Sequence, residues 1–293
     1  MVLAAPLRVL ARIVVVALAT VAVSCGDDSA PEPLVVGAGD SAESVLLAEI
    51  YAQALARTGA RVVVAPGLGS RADRMAALDA GTVTLVGEHN GALLGELASN
   101  ATAWNTDEVT RELNRSLPEG LVVTDAADGA DLRAGVLVNA NAPIESVADL
   151  TPRCPSSSAG VAPVPGLLSA PPPALRIDGC DFASTQTFAD PDELRKALIE
   201  GRIQIGLLAG PVELAPRATE GLRVLSDDDN ALRSENPVAV VRKGALDDRE
   251  WEKLNYVAGE LTTDRLTAMI AAVRDEQASP AELARTWLDD HGL

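Results

Sequence analysis

With 293 residues, 47% of them hydrophobic and 23% charged, the chain has a globular composition and enough apolar matter for one large or two ordinary domains. It carries 24 Lys and Arg against 42 Asp and Glu, a net charge of -18, so its own field disfavours DNA, RNA and anionic lipid surfaces as partners. The opening residues read as an address: Arg8 and Arg12 are followed by an apolar run, Ile13 to Val23, too short to cross a bilayer, and then by Ala22-Val23-Ser24-Cys25. That pattern predicts a lipoprotein signal over residues 1–24, lipidation of Cys25, and an extracytoplasmic protein anchored to the cell membrane. Removal of the signal takes away two arginines and no acid, leaving -20.

Residues 25–33 form a polar, Pro-bearing tether, and the folded part begins at Leu34. From Leu34 to Ala92 the pattern is strand, loop, helix, strand, loop, helix, strand, loop. Leu34 to Val36 form the first strand, and Asp40 is expected to cap a helix in a reciprocal box with Glu43. Leu46, Leu47, Ile50, Tyr51, Ala54 and Leu55 recur on one face of that helix, and Gly59 stops it. A strand from Arg61 to Ala65 turns through Pro66, Gly67 and Gly69 into a helix beginning near Ser70. A third strand, Val83 to Val86, ends in the turn Gly87-Glu88-His89-Asn90-Gly91. Each polar turn follows a strand and precedes a helix, which is the edge of an open parallel sheet where small ligands bind.

Helices follow near Gly91 to Ala98 and from Asn105 or Thr106 to Arg115, then a strand from Leu121 to Thr124, and Ala126 to Asp131 reads as a first crossing between two lobes. The second lobe opens with the strand Ala134 to Val138 and a short helix around Ser146 to Leu150. A loop from Pro155 to Gly179 follows, with little periodicity. Asp190 caps a helix with Pro191 at its first position, and Ile203 to Leu208 and Leu222 to Leu225 are strands. Near Asn236 the chain crosses back into the strand Val238 to Val241. Three helices close it: Asp247 to Ala258, Thr262 to Arg274, and Ser279 to Asp290, the last with a capping box between Ser279 and Glu282. The expected architecture is α/β with two crossover strands, lobe 1 being residues 34–129 and 237–293 and lobe 2 residues 130–236.

Export also bears on the thiols. Beyond the anchor, Cys154 and Cys180 remain, an even pair in an oxidising compartment, and they are expected to form a disulfide. Zinc is the alternative, but two thiols without a nearby His ligate it poorly, so neither metal nor cofactor is expected.

Six stretches stand out together: AEIYAQALARTGARV in the first helix, GLGSR from Gly67 to Arg71, GEHNGA at the third strand end, EGRIQIGLL from Glu200 to Leu208, VLSDDDNALRSENPVAVVRK from Val224 to Lys243, and the final segment from Leu261. On these the chain resembles the substrate-binding proteins of ABC importers for glycine betaine, choline and related quaternary ammonium osmolytes. The resemblance implies the two-lobe periplasmic-binding-protein type II fold, a small-molecule solute held between the lobes, an ABC permease as partner, and a monomer. Members of the family surround the trimethylammonium group with aromatic rings, whose faces attract a cation that has no N–H to donate. Here Val86 and His89 stand where tyrosines are common, as do Arg133, Ala209 and Glu235. Aromatic residues number seven in all, and Tyr51, Trp251, Tyr256 and Trp287 fall on apolar helix faces, which leaves Trp104, Phe182 and Phe188 for a cleft.

The candidate ligand-binding set is therefore polar: Asp40, Ser41, Ser70, Arg71, Glu88, His89, Asn90, Asp131, Arg133, Glu235 and Asn236. Arg71 at a helix start suits a carboxylate, and Asp131 and Glu235 suit an amine. Structural roles compete at each position: Asp40 and Ser70 also serve as helix caps, Arg71 also pairs with Asp73 or Glu88, and Arg133 with Glu235. A small polar or zwitterionic solute is expected, betaine or choline being the family default. The alternative is a transport-inactive member that contacts envelope partners. Enzyme readings are weaker. Gly37, Gly39 and Ala42 mimic a dinucleotide fingerprint, but Val64-Ala65-Pro66-Gly67 stands where the ribose-binding acid belongs. The Gly39-Asp40-Ser41-Ala42-Glu43 turn lacks the last glycine of a nucleophile elbow, and there is no phosphate loop.

Overall fold

Strand and helix alternate along the chain because short apolar runs are separated by capped, amphipathic stretches, and they assemble into two five-stranded sheets. The computed structural model describes residues 32–168 and 176–293. The expected signal, Cys25 and most of the expected tether lie outside the described residues, as does Pro171-Pro172-Pro173. Residues Pro33–Leu293 form one compact unit.

Among the described residues the order is β1 (Leu34–Gly37), α1 (Ala42–Ala56), β2 (Val62–Ala65), α2 (Arg71–Asp79), β3 (Leu85–His89), α3 (Asn90–Leu97), α4 (Thr106–Ser116) and β4 (Leu121–Val123). Next come β5 (Gly135–Asn139), α5 (Val147–Leu150), β6 (Ser158–Pro163), β7 (Ser184–Thr187), α6 (Pro191–Ile199), β8 (Ile205–Ala209) and β9 (Leu222–Val224). The chain ends with β10 (Pro237–Arg242), α7 (Asp248–Glu260), α8 (Thr263–Asp275) and α9 (Pro280–Asp290). The first sheet has the order β2-β1-β3-β10-β4 and the second β7-β6-β8-β5-β9. In both, the fourth-placed strand runs antiparallel to its neighbours, and in both it is the strand that follows a passage from the other half: β10 in the first sheet, β5 in the second.

Helix α1 is apolar nearly all round because it is enclosed nearly all round. Leu46, Leu47, Ile50, Ala54 and Leu55 are fully buried between the first sheet and the tail helices α7, α8 and α9. Its cap is Ser41, whose hydroxyl accepts from the Ser44 amide; Asp40 does not cap it and is exposed. Glu43 is thereby freed from the expected box and points into the protein. Helix α2 does have the reciprocal box, between Ser70 and Asp73, and α7 has another between Asp247 and Glu250 that sequence inspection missed. At α9 only half of the expected box exists: Ser279 accepts from the Glu282 amide.

Four further corrections arise from packing. The third strand does not stop at Val86 but continues through Gly87, Glu88 and His89, so these two polar residues sit in a buried strand end rather than in a turn. The supposedly aperiodic loop after Cys154 contains β6, Ser-Ala-Gly-Val-Ala-Pro, which lies between β7 and β8. Its small residues hide its strand character, and the packing requires them: a β-carbon on Gly160 would stand 2.5–2.7 Å from Phe188, Ile203 and Leu194. Strand β7, Ser-Thr-Gln-Thr, was also missed because it is a fully exposed edge with no apolar face. Tyr256, assigned to an apolar face, is 55% exposed.

The apolar core has three parts. One cluster, including Leu78, Val86, Leu94 and Val240, serves the first sheet alone, and another, including Val136, Val138, Ile177 and Leu207, serves the second. The third joins the halves: Leu46, Ile50, Leu266 and Ile270 share it with Ala162, Val164, Leu167, Leu168 and Leu208. Cys154 and Cys180 form the expected disulfide, with α-carbons 5.4 Å apart across 26 residues of sequence. On the chain-entropy account, replacing both by Ala should lower the unfolding free energy by roughly 3.5 kcal/mol in urea titration, and reductant should reproduce the loss.

Candidate functional site

The carboxyl ends of the first sheet's parallel strands face the loop that leaves β6 of the second, and the polar side chains of the sequence gather there. Glu88 and His89 occupy the last two positions of β3, where alternation of the strand sends them to opposite sides. Glu88 turns towards α2. Its carboxylate accepts from Arg71 Nε at 2.9 Å and from Arg74 Nε at 3.1 Å, Arg74 Nη2 closing a second contact, and Glu88 is fully buried. Arg71 also reaches Glu96 at 3.2 Å. The acids outweigh the cost of its burial and hold its guanidinium firmly protonated. Arg74 sits one helical turn after Arg71, the spacing that puts both on one face, and this could have been noticed in the sequence. Removing one member of such a buried cluster typically costs about 3–5 kcal/mol because the remaining charge is stranded.

His89 turns the other way, towards α1. Its Nε2 lies 2.6 Å from Glu43 Oε1 and its Nδ1 lies 3.8 Å from Glu235. Burial pulls the imidazole pKa down, but the carboxylates of Glu43, Glu235 and Glu88 outweigh it and hold it above the ordinary 6.5. The second oxygen of Glu43 accepts from the Leu168 amide at 2.7 Å, while the Glu43 amide donates to the Gly166 carbonyl at 2.9 Å. A single fully buried side chain thus ties the end of β3 to the loop beyond β6. Glu43 was overlooked as a site residue because it was spent, on paper, in a cap.

Asn90 and Asn236 bind each other in a closed ring, each amide donating to the partner: Asn90 N to Asn236 O at 3.0 Å, Asn236 N to Asn90 Oδ1 at 2.8 Å. The Asn236 side chain also donates to Ala127 and Ala130, so both passages between the halves are held by one residue. Glu235 accepts from the Ala92 amide at 2.8 Å, a close approach that Gly91 permits, since a β-carbon there would overlap the Ser234 carbonyl oxygen. Burial pushes the Glu235 carboxyl up to about 7, with Asp131 adding to it, against the opposing pull of His89, the Ala92 amide and Arg71. Asp131 accepts from the amides of Glu235 and Arg133 and holds the Arg133 guanidinium, which continues to Asp227 at 3.0 Å. Arg133 therefore pairs with Asp131 and Asp227, not with Glu235.

The structure accordingly unites eight of the predicted residues, Arg71, Glu88, His89, Asn90, Asp131, Arg133, Glu235 and Asn236, in one polar network, and adds Glu43, Arg74 and Asp227. Ser41 and Ser70 are helix caps beside it. Asp40 is exposed at its margin, near Gly67. Phe188 is packed under β6 in the shared core and Phe182 against the second-sheet core, while Trp104 lies under Arg233 at 5.2 Å. Among the described residues no cluster of His, Cys, Asp and Glu suits a metal ion, and no helix is long and apolar enough to cross a membrane.

A family model described as the substrate binding domain of ABC-type glycine betaine transport systems matches residues 32–290. Solved structures of low sequence identity share the fold. One described as a glycine betaine/carnitine/choline ABC transporter superposes with a TM-score of 0.65 at 16% identity, over 88% of this chain and 98% of that one. Apo YehZ from Escherichia coli gives 0.63 at 19% identity, over 89% and 99%. Lactococcal OpuAC, closed around glycine betaine, gives 0.51 at 16% identity, over 89% and 97%. No curated protein sequence matches the chain. The two-lobe type II periplasmic-binding-protein fold that the resemblance implied is thus the fold observed.

The proton balance of the network yields a stability test. Glu235 has a raised pKa in the fold, so between its ordinary 4.5 and about 7 the native state holds more proton than the unfolded chain. Its contribution is full below that window and is lost as pH rises through it. His89, also raised, loses its contribution above 6.5 in the same direction. Urea titrations of wild type and Glu235→Gln should diverge progressively across this window, the wild type losing up to about 3 kcal/mol relative to the variant.

Proposed function

Because the chain belongs to the family of substrate-binding domains of ABC-type glycine betaine transport systems, we propose that it captures a small polar or zwitterionic solute between its halves and delivers it to an ABC permease. The observation that carries this reading is the partly buried network at the carboxyl end of β3, where Glu43, Glu88, Glu235, Asp131 and Asp227 face Arg71, Arg74, Arg133 and His89. Once Glu235 ionises the carboxylates outnumber the cations of Arg71, Arg74, Arg133 and His89, so a cationic group on the solute is the complement they lack. Carboxylate oxygens accept from N–H donors, whereas a trimethylammonium group offers none and relies on ring faces that this network does not present. A primary or secondary amine beside a carboxylate therefore suits the site better than glycine betaine or choline, which remain the family default. Binding without turnover is the expected behaviour, and we read Cys25 and the segment before it as a lipid anchor that would hold the protein outside the cytoplasmic membrane.

A second reading, a member of the fold that transports nothing and contacts envelope partners, is favoured by one feature. The Glu43 carboxylate already takes its hydrogen bonds from the protein itself, at His89 and Leu168.

A thermal-shift screen against betaines, choline, carnitine, amino acids, polyamines and small sugars separates the two. A true solute at a hundred times its dissociation constant should stabilise by about 2.7 kcal/mol, and the shift should shrink in Arg71→Ala and Glu235→Ala. For an amine-bearing solute, affinity should rise with pH through about 7 as Glu235 ionises. No shift with any solute, together with stabilisation by a membrane partner, would favour the second reading.

A further inference from the structure

Away from the buried network, a cavity of about 460 Å³ opens between the halves, lined on one side by Asn100, Ala101, Thr102 and Trp104 and on the other by Arg176 and Asp178. Its volume is within the range of small-molecule sites. Both sides are sewn to the same stretch of the second crossing. On the first-sheet side, Arg233 donates to the Ala101 and Ala103 carbonyls at 2.7 and 3.0 Å, and the Ser234 amide donates to the Trp104 carbonyl at 2.9 Å. On the other side, the Asp178 amide donates to the Ala231 carbonyl at 2.8 Å, Ile177 bridges to Leu232, and the disulfide at Cys180 holds the segment from behind. The cavity is thus a built feature of the hinge.

Its chemistry differs from that of the network. Arg233 lies over the Trp104 ring, its guanidinium held against the indole at 5.2 Å, and Arg176 brings a second positive charge close enough to lower the Arg233 pKa, after burial, against the opposing charges of Glu235 and Glu112. Arg176 has no ion-pair partner among the described residues, and Asp178 is its only charged companion in the lining. Arg176 in the lining and Arg233 beside it over Trp104 outnumber Asp178 by one around the ring, a local positive excess in a chain of net charge -18. A guanidinium that forms no ion pair is matched by a carboxylate, which it binds through two parallel N–H donors.

We propose that this hinge cavity is a second ligand site, one that takes a small organic carboxylate with a flat apolar body, the carboxylate on Arg176 and the body along Trp104. Asp178, Thr102 and Asn100 offer polar partners for a hydroxyl or amine on the same molecule. Because its two sides come from the two halves, occupancy would hold them in their present relation. The proposal does not depend on which solute the buried network takes.

Isothermal titration of the full chain with benzoate, 4-hydroxybenzoate and indole-3-acetate tests it, with neutral benzamide as the comparison. At least one carboxylate should bind saturably and benzamide at least tenfold more weakly. Arg176→Glu, at an exposed position, and Trp104→Ala should each weaken binding at least tenfold, while Arg285→Glu on α9 changes it less than twofold. Circular dichroism checks that each variant is folded. Absence of saturable binding by all three carboxylates, or affinity retained in folded Arg176→Glu, overturns the proposal. So does binding abolished by Glu235→Gln but not by Arg176→Glu, which would locate the ligand in the network. Failure here leaves the thermal shifts that depend on Glu235 untouched, so the two readings fall separately.

Discussion

The hydrogen bonds of Glu43 govern how the two halves meet. A carboxylate buried completely is tolerated only when its oxygens are engaged, and here one oxygen faces His89 at the end of β3 while the other takes the Leu168 amide from the loop beyond β6. Geometry follows from that division. With Leu168 held, Leu167 and Leu168 enter the apolar cluster shared with α1 and α8, and each side chain so buried contributes about 1.5–3 kcal/mol. Arg274 on α8 adds a clasp nearby, donating to the carbonyls of Pro165 and Leu214 at 2.9 Å. Polar direction and apolar area act together at this junction, the first choosing the register and the second supplying most of the energy.

The first half was legible in the sequence because its signals are local. The α1 face from Leu46 to Leu55 keeps helical spacing, and Ser70 and Asn105 cap the helices they precede. What sequence inspection missed depends on neighbours distant in the chain. Strand β6 reads as loop because Gly160 must be small beneath Phe188 and Leu194, a demand set by residues about 30 positions later. Glu43 could not be told from a capping residue until Ser41 was seen to cap α1 alone.

The candidate site shows the same division. That Glu88, His89, Glu235 and Asn236 belong together was legible from strand ends and crossings, since an α/β sheet collects such positions at one edge. Their partners were not. Arg133 turns to Asp131 and Asp227 rather than to Glu235, and Asn90 and Asn236 close a ring that fixes both passages of the chain. A network of charges, unlike a set of rings, discriminates by hydrogen-bond donors rather than by bulk.

The strand order of the first sheet has a consequence for biosynthesis. Strand β4 touches that sheet only through β10, and β10 is separated from it by the entire second half. A nascent chain that has reached Thr124 therefore holds an edge it cannot yet attach, with an unpaired place beside β3. The amino-terminal half cannot finish before residue 242 has been made, whereas the second sheet has all its strands by residue 224. The inner half can mature first, and the outer half is completed around it.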